Sequence, residues 1–164
     1  MTPTVFILNG PNLNLLGVRE PQIYGHETLA ELRQRCEDHA HSLGLNIDFR
    51  QSNFEGALIE SVHEARDSAA AIIINPAGFS FTSIALLDSL KMFDGPKFEV
   101  HISNIHRRES IYHASLISRT ADAVIAGLGT DGYLAALKAV AERLSNGTPG
   151  NTSRGLQQPT AVLS

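Results

Sequence analysis

Cysteine is nearly missing from this 164-residue chain: Cys36 stands alone, so no intrachain disulfide can form and a reducing compartment, the cytoplasm, is expected. Its place in a helical spacing makes it a core residue rather than a reactive thiol. Clusters of basic residues are also missing. With 13 Lys and Arg against 17 Asp and Glu, and a formal net charge of -4, there is no electrostatic reason to expect nucleic acid. The start of the chain carries no basic segment and no long apolar run, so neither a signal peptide nor a membrane span is expected. No internal repeat is visible. What is present is a 43% apolar share, enough for one domain with a real core.

Five apolar runs read as strands: Thr4 to Leu8, Leu45 to Gln51, Ala70 to Ile74, Lys97 to Ile102 and Asp122 to Ala126. Helical spacings alternate with them. Thr28-Leu-Ala-Glu31 has the form of a capping box, and Leu29, Leu32, Cys36, Ala40 and Leu43 share one face before Gly44 ends the helix. Leu58, Ile59, Val62, Ala65 and Ala69 mark a second helix. Further helices are expected from about Thr82 to Met92 and from about Tyr133 to Leu144. This alternation predicts an α/β fold, a parallel sheet with helices on both faces, with ligands bound outside the carboxyl ends of the strands. The domain should occupy residues 1–144. From 145 to 164 the composition shifts to Gly, Pro, Ser, Thr and Asn, which reads as a flexible tail.

Between the first strand and the first helix lies Asn9 to Gly25, a connection of about 17 residues where about 2 to 6 are usual, which suggests a lid or a binding loop. Three other features offer chemistry that their surroundings do not support. Gly127-Leu-Gly-Thr-Asp-Gly132 matches a dinucleotide fingerprint, but no second strand follows its helix to bring an acidic residue to a ribose, so a tight structural turn is expected. Ser80 in Gly78-Phe-Ser-Phe-Thr82 lacks the closing glycine of a nucleophile elbow. His101, His106 and His113 do not have zinc spacing, and no cysteine lies near them; no metal is expected.

Two pairs remain. Arg19 and Tyr24 share the long connection. Only about one tyrosine in a thousand is ionised at neutral pH, and a nearby arginine favours the phenolate, which would be a usable base for a carbon acid. The alternative is a tyrosine that anchors a loop beside a solvated arginine. Glu99 and His101 lie two apart on a strand and share a face, so the carboxylate can orient the imidazole as a general acid. The alternative is a half-buried histidine with a salt-bridge partner. Periodicity does not decide either case.

Four stretches, Leu8-Asn-Gly-Pro-Asn-Leu-Asn-Leu-Leu-Gly-Val-Arg-Glu-Pro-Gln-Ile-Tyr-Gly25, Asn75-Pro-Ala-Gly78, Glu99-Val-His-Ile-Ser-Asn-Ile-His106 and Gly127-Leu-Gly-Thr-Asp-Gly-Tyr-Leu134, resemble the type II 3-dehydroquinate dehydratases in order and spacing. The resemblance covers about Val5 to Leu144. It implies a flavodoxin-like five-stranded domain, trimers assembling to a dodecamer, and a dehydration of a small cyclic polyhydroxy acid without cofactor or metal. It also implies roles. Tyr24 would be the base, with Arg19 lowering its pKa. His101 would be the acid, oriented by Glu99, and Asn12 would hold a water at the enolate. Asn75, Ile102 and Ser103 would bind the carboxylate, and Asp88 would reach in from a neighbouring subunit. Three positions depart from the family pattern: Phe81 stands where a histidine is usual, Tyr112 where an arginine is usual, and Leu87 where an arginine commonly precedes the aspartate. Arg108 and His106 are available as substitute donors. The expected activity is dehydration of 3-dehydroquinate, with action on a less hydroxylated ring, or ligand binding alone, as alternatives.

Overall fold

The computed structural model describes residues 1–147, and all five expected strands pair in one parallel sheet. They are β1 (Thr4–Asn9), β2 (Asn46–Gln51), β3 (Ala71–Asn75), β4 (Lys97–His101) and β5 (Ala123–Ala126), in the order β2-β1-β3-β4-β5. This is the flavodoxin-like order, whose direction reverses between β1 and β3 and opens a crevice at their carboxyl ends. The helices are α1 (Pro21–Tyr24), α2 (Leu29–Ser42), α3 (Glu55–Ser68), α4 (Ile84–Lys91) and α5 (Asp131–Ser145). Among the described residues no helix is long and apolar enough to cross a membrane. Most of the tail expected over 145–164 lies outside the described residues; Ser145 itself closes α5.

Successive strand residues point to opposite faces, and the sheet sorts its apolar residues accordingly. Val5 and Ile7 of β1, Ala71 and Ile73 of β3, and Phe98 and Val100 of β4 meet Leu32, Cys36 and Ala40 of α2 and Ala136, Leu137 and Val140 of α5. Phe6, Leu8, Ile72 and Ile74 face the other way, onto Leu58, Val62 and Ala65 of α3 and Leu86, Leu87 and Leu90 of α4. Cys36 is fully buried in the first layer, and burial pushes its thiol up to about 12, so it is inert packing. Leu87 is buried in the second layer, where its side chain serves the core.

Both halves of the capping box form at α2: Glu31 N–H donates to Thr28 Oγ1 at 3.2 Å and Thr28 N–H to the Glu31 carboxylate at 2.8 Å. Some boundaries differ from the sequence expectation. The long connection is not a plain loop; it contains a 3-10 turn, Leu13–Leu15, and the single-turn helix α1, which Pro21 starts at its first position. The helix expected from Thr82 begins at Ile84, because a 3-10 turn over Ala77–Phe81 comes first and the Ser83 hydroxyl caps the helix by accepting from Leu86 N–H at 2.9 Å. Similarly, α5 begins at Asp131 rather than Tyr133. A side chain at Gly132 would stand 3.3 Å from Val100 Cγ1, so the glycine lets this helix start pressed against β4 and β5.

Candidate active site

The long connection from Asn9 to Gly25 is held near both ends. At its start, Gly10 N–H donates to Asn75 O at 2.8 Å, and a Cβ on Gly10 would stand only 2.3 Å from Pro76 O, so this crossing of β1 and β3 exits needs glycine. Just past its far end, Arg35 of α2 reaches Glu27 at 2.9 Å, Thr130 at 3.1 Å and Asp131 at 2.6 Å, tying the approach to α2 to the start of α5. Asn12 sits in the left-handed region at φ 69 and donates its N–H to Asn53 Oδ1 at 2.9 Å, so the polar turn after β2 holds the turn after β1.

Arg19 and Tyr24 do meet. The guanidinium carbon of Arg19 lies 5.7 Å from the centre of the Tyr24 ring, and Arg19 also pairs with Glu20 at 3.4 Å. A second cation comes from elsewhere in the chain: Arg108 lies 5.9 Å from the same ring centre.

On β4, Glu99 and His101 point to the α3 and α4 face, as their spacing requires, and His101 Nε2 lies 2.9 Å from Glu99 Oε1 with both residues buried. The carboxylate has two further donors, the hydroxyls of Ser115 on Oε1 and Ser118 on Oε2. Burial pushes the Glu99 carboxyl up, but the hydrogen bonds from His101, Ser115 and Ser118, with the charge of His101, outweigh it and hold the carboxyl below its usual range. A charged carboxylate stays in the core because it is fully partnered. With Nε2 engaged by Glu99, Nδ1 is the ring nitrogen left for a ligand.

On the opposite face, the Tyr133 hydroxyl donates to Asn9 Oδ1 at 2.7 Å and accepts from Asn75 Nδ2 at 2.9 Å, while Asn75 Oδ1 accepts from Ala77 N–H at 3.2 Å. Tyr133 is fully buried, and burial pushes its phenol well above the usual value. The Gly127 to Gly132 turn has a structural task here: Gly127 N–H donates to His101 O at 3.2 Å and Gly129 N–H to Ile102 O at 3.0 Å, fixing the end of β4.

These groups surround one cavity of about 240 Å³, just under the usual range of about 300–1,000 Å³ for small-molecule sites and suited to a ligand of one ring. Asn12, Arg19, Tyr24, Asn75, Phe81, His101, Ile102, Ser103 and Tyr112 all line it, as does Arg108. None of the described residues lining it is acidic, while two are arginines, a field that suits an anion. Phe81 stacks near His101, with ring centres 6.4 Å apart, and meets Tyr112 edge to face at 5.4 Å. Two residues named from the sequence stand apart. Asp88 is exposed on α4 and pairs with Lys91 at 3.8 Å, outside the walls this chain supplies. His106 is exposed beside His113, with ring centres 6.2 Å apart.

Comparison with known proteins matches residues 3–141 to the family model described as dehydroquinase class II. The chain belongs to the class II dehydroquinases. A 3-dehydroquinate dehydratase of Cereibacter sphaeroides is 51% identical over 147 residues, covering 90% of this chain and all of that protein. A 3-dehydroquinate dehydratase 2 of Pseudomonas putida is 53% identical over 144 residues, covering 88% and 97%. Among solved structures, the type II dehydroquinase of Propionibacterium acnes superposes with a TM-score of 0.84 at 42% identity, covering 87% of this chain and 98% of its own. For a class II dehydroquinase, the residues that sequence reasoning missed are the supports: Ser115, Ser118, Tyr133 and the Arg108 contact to Tyr24. A buried carboxylate in a strand demands donors, so Glu99 was itself a signal to look for nearby hydroxyls.

Proposed function

We propose that this protein dehydrates 3-dehydroquinate to 3-dehydroshikimate. The carrying observation is that Tyr24, flanked by Arg19 and Arg108, and His101, backed by the buried Glu99, line the same ring-sized cavity. In the proposed reaction the Tyr24 phenolate oxygen takes a proton from the carbon next to the ketone, and the electron pair moves onto the carbonyl oxygen as an enolate. Arg19 and Arg108 place positive charge beside the phenolate. Asn12 holds the water that hydrogen-bonds the enolate oxygen. As the enolate collapses, the bond from carbon to the departing hydroxyl breaks on the opposite face, and His101 delivers its Nδ1 proton so that water leaves. The imidazolium that donates is stabilised by Glu99. At the far end, the Ile102–Ser103 turn and the second Nδ2 proton of Asn75 bind the substrate carboxylate; the first is given to Tyr133.

Asp88, exposed on its own chain, completes the site of a neighbouring subunit in a trimer, and four trimers form a dodecamer. The lone buried cysteine supports a cytoplasmic setting. A second reading draws on Phe81 and Tyr112, whose packed rings give the wall beside His101 an aromatic surface. It is action on a related ring with fewer hydroxyls.

Purified protein should produce the ultraviolet absorbance of 3-dehydroshikimate from 3-dehydroquinate, and Tyr24→Phe should reduce the rate by two orders of magnitude or more, in line with removal of a general base. No product above buffer at high enzyme concentration would sink the first reading. A monomer by light scattering would remove Asp88 from the site.

A further inference from the structure

Arg108 follows the 3-10 turn Ile105–Arg107, and its guanidinium is held in an unusual way. Its central carbon lies 3.9 Å from the centre of the Tyr112 ring, closer than any other cation to an aromatic ring among the described residues, and 5.9 Å from that of Tyr24. No carboxylate forms an ion pair with it among the described residues. The Tyr112 ring is in turn fixed from the side by Phe81, which lies against His101. A line of contacts therefore runs His101, Phe81, Tyr112, Arg108, Tyr24 around the cavity wall, joining the proposed acid to the proposed base.

The nature of the support matters. A carboxylate would hold Arg108 more tightly but would neutralise it and compete with an anionic substrate for its donors. An aromatic face attracts the cation through its quadrupole and leaves both the charge and the N–H groups available. We propose that Tyr112 is a positioning residue: its ring seats Arg108 so that this guanidinium, with no carboxylate of its own chain paired to it among the described residues, faces Tyr24 and the substrate anion, and it acts through the ring face rather than through its hydroxyl. The proposal deepens the reading of Tyr24 as the base and rests on it. Phe81 serves the same seat by holding the Tyr112 ring at a right angle, and this pair makes the wall an aromatic cradle for one arginine.

The test is a double-mutant cycle on the full chain with 3-dehydroquinate as substrate, alongside a spectroscopic readout that needs no turnover. Tyr112→Leu should lower kcat/KM about 5- to 30-fold, the value of a desolvated cation–π contact, and move the acid limb of the pH profile upward. Tyr112→Phe should recover most of that loss. With Arg108→Gln as background, Tyr112→Leu should add almost nothing, because its effect passes through Arg108. The side-chain Nε–Hε resonance of Arg108, identified by its disappearance in Arg108→Gln, should be shifted upfield by the ring in the parent and in Tyr112→Phe, and not in Tyr112→Leu. Additive losses, or a Tyr112→Phe as impaired as Tyr112→Leu, would overturn the proposal. An Arg108 resonance indifferent to Tyr112→Leu would overturn it as well. Tyr24→Phe measured in parallel separates the two claims: an active Tyr24→Phe removes the base reading while the resonance still decides whether Tyr112 seats Arg108.

Discussion

Replacing Glu99 by glutamine isolates the charge of the buried carboxylate from its geometry. The carboxylate accepts from His101, Ser115 and Ser118. A glutamine carbonyl in the place of Oε1 can still accept from His101 and Ser115, and its amide can donate to Ser118, whose hydroxyl serves as acceptor as readily as donor. Packing survives and the charge goes. Hydrogen bonds to an ionised group are roughly twice as strong as neutral ones, so the protonated imidazole loses about 1 to 2 kcal/mol of support. That corresponds to a fall in kcat of about 5- to 30-fold with little change in KM, since the lost interaction belongs to the proposed proton donor and not to substrate binding. The alkaline limb of kcat should also move to lower pH. Steady-state rates from the absorbance of 3-dehydroshikimate between pH 6 and about 10 measure both. A folded Glu99→Gln protein with parental kcat and an unmoved pH profile would refute the claim that Glu99 acts through its charge.

Acid stability and one buried network supply the other tests. Because the folded Glu99 carboxyl is held below its usual range, its contribution to stability is complete above the unfolded value of about 4.3 and is lost as the pH falls through the folded value. Removing two of its three donors in Ser115→Ala/Ser118→Ala leaves burial opposed by His101 alone and moves the carboxyl up, so urea unfolding midpoints of the variant should begin to fall at a higher pH than those of the parent. Tyr133→Phe deprives the Asn9 and Asn75 amides of their shared hydroxyl in a fully buried site, which should cost on the order of 2 to 4 kcal/mol in urea unfolding and lower kcat/KM through a loosened Asn75.

Strands and helices were legible because each carries a periodicity that one face of a sheet or helix enforces. Thr28 to Glu31 predicted its capping box to the residue, and the two-residue step from Glu99 to His101 predicted their contact. The helix starts at Ile84 and Asp131 were less legible, since tight turns and a glycine packed against β4 set them rather than any pattern within the helix. Ser115 and Ser118 fall in a patternless stretch, where Ser118 sits in the 3-10 turn Ile117–Arg119 and Ser115 in the chain just before it, neither on a regular element. Tyr133 reads from sequence as the first apolar residue of a helix, and only the sheet order β2-β1-β3-β4-β5 brings Asn9 and Asn75 side by side beneath it.

The connection after β1 is long for a reason that the parity of the strands supplies. Asn9 and Asn75 share the face of Ile7 and Ile73, under α2 and α5, whereas Glu99 and His101 share the face opposite Phe98 and Val100, under α3 and α4. The amide proposed to bind the substrate carboxylate and the proposed acid therefore leave the sheet on opposite sides, and a pocket that uses both must straddle its carboxyl edge. A short connection after β1 would stay on one side of that edge. The stretch from Asn9 to Gly25, with two short helical turns inside it, is long enough to bring Arg19 and Tyr24 into the cavity shared by Asn75 and His101. The same parity makes β4 intolerant of a register change: inserting one residue before Phe98 would turn Glu99 and His101 into the apolar layer beneath α5 and expel Phe98 and Val100 from it. Fold and proposed chemistry thus rest on one alternation, and the connection from Asn9 to Gly25 is the segment that reconciles its two sides.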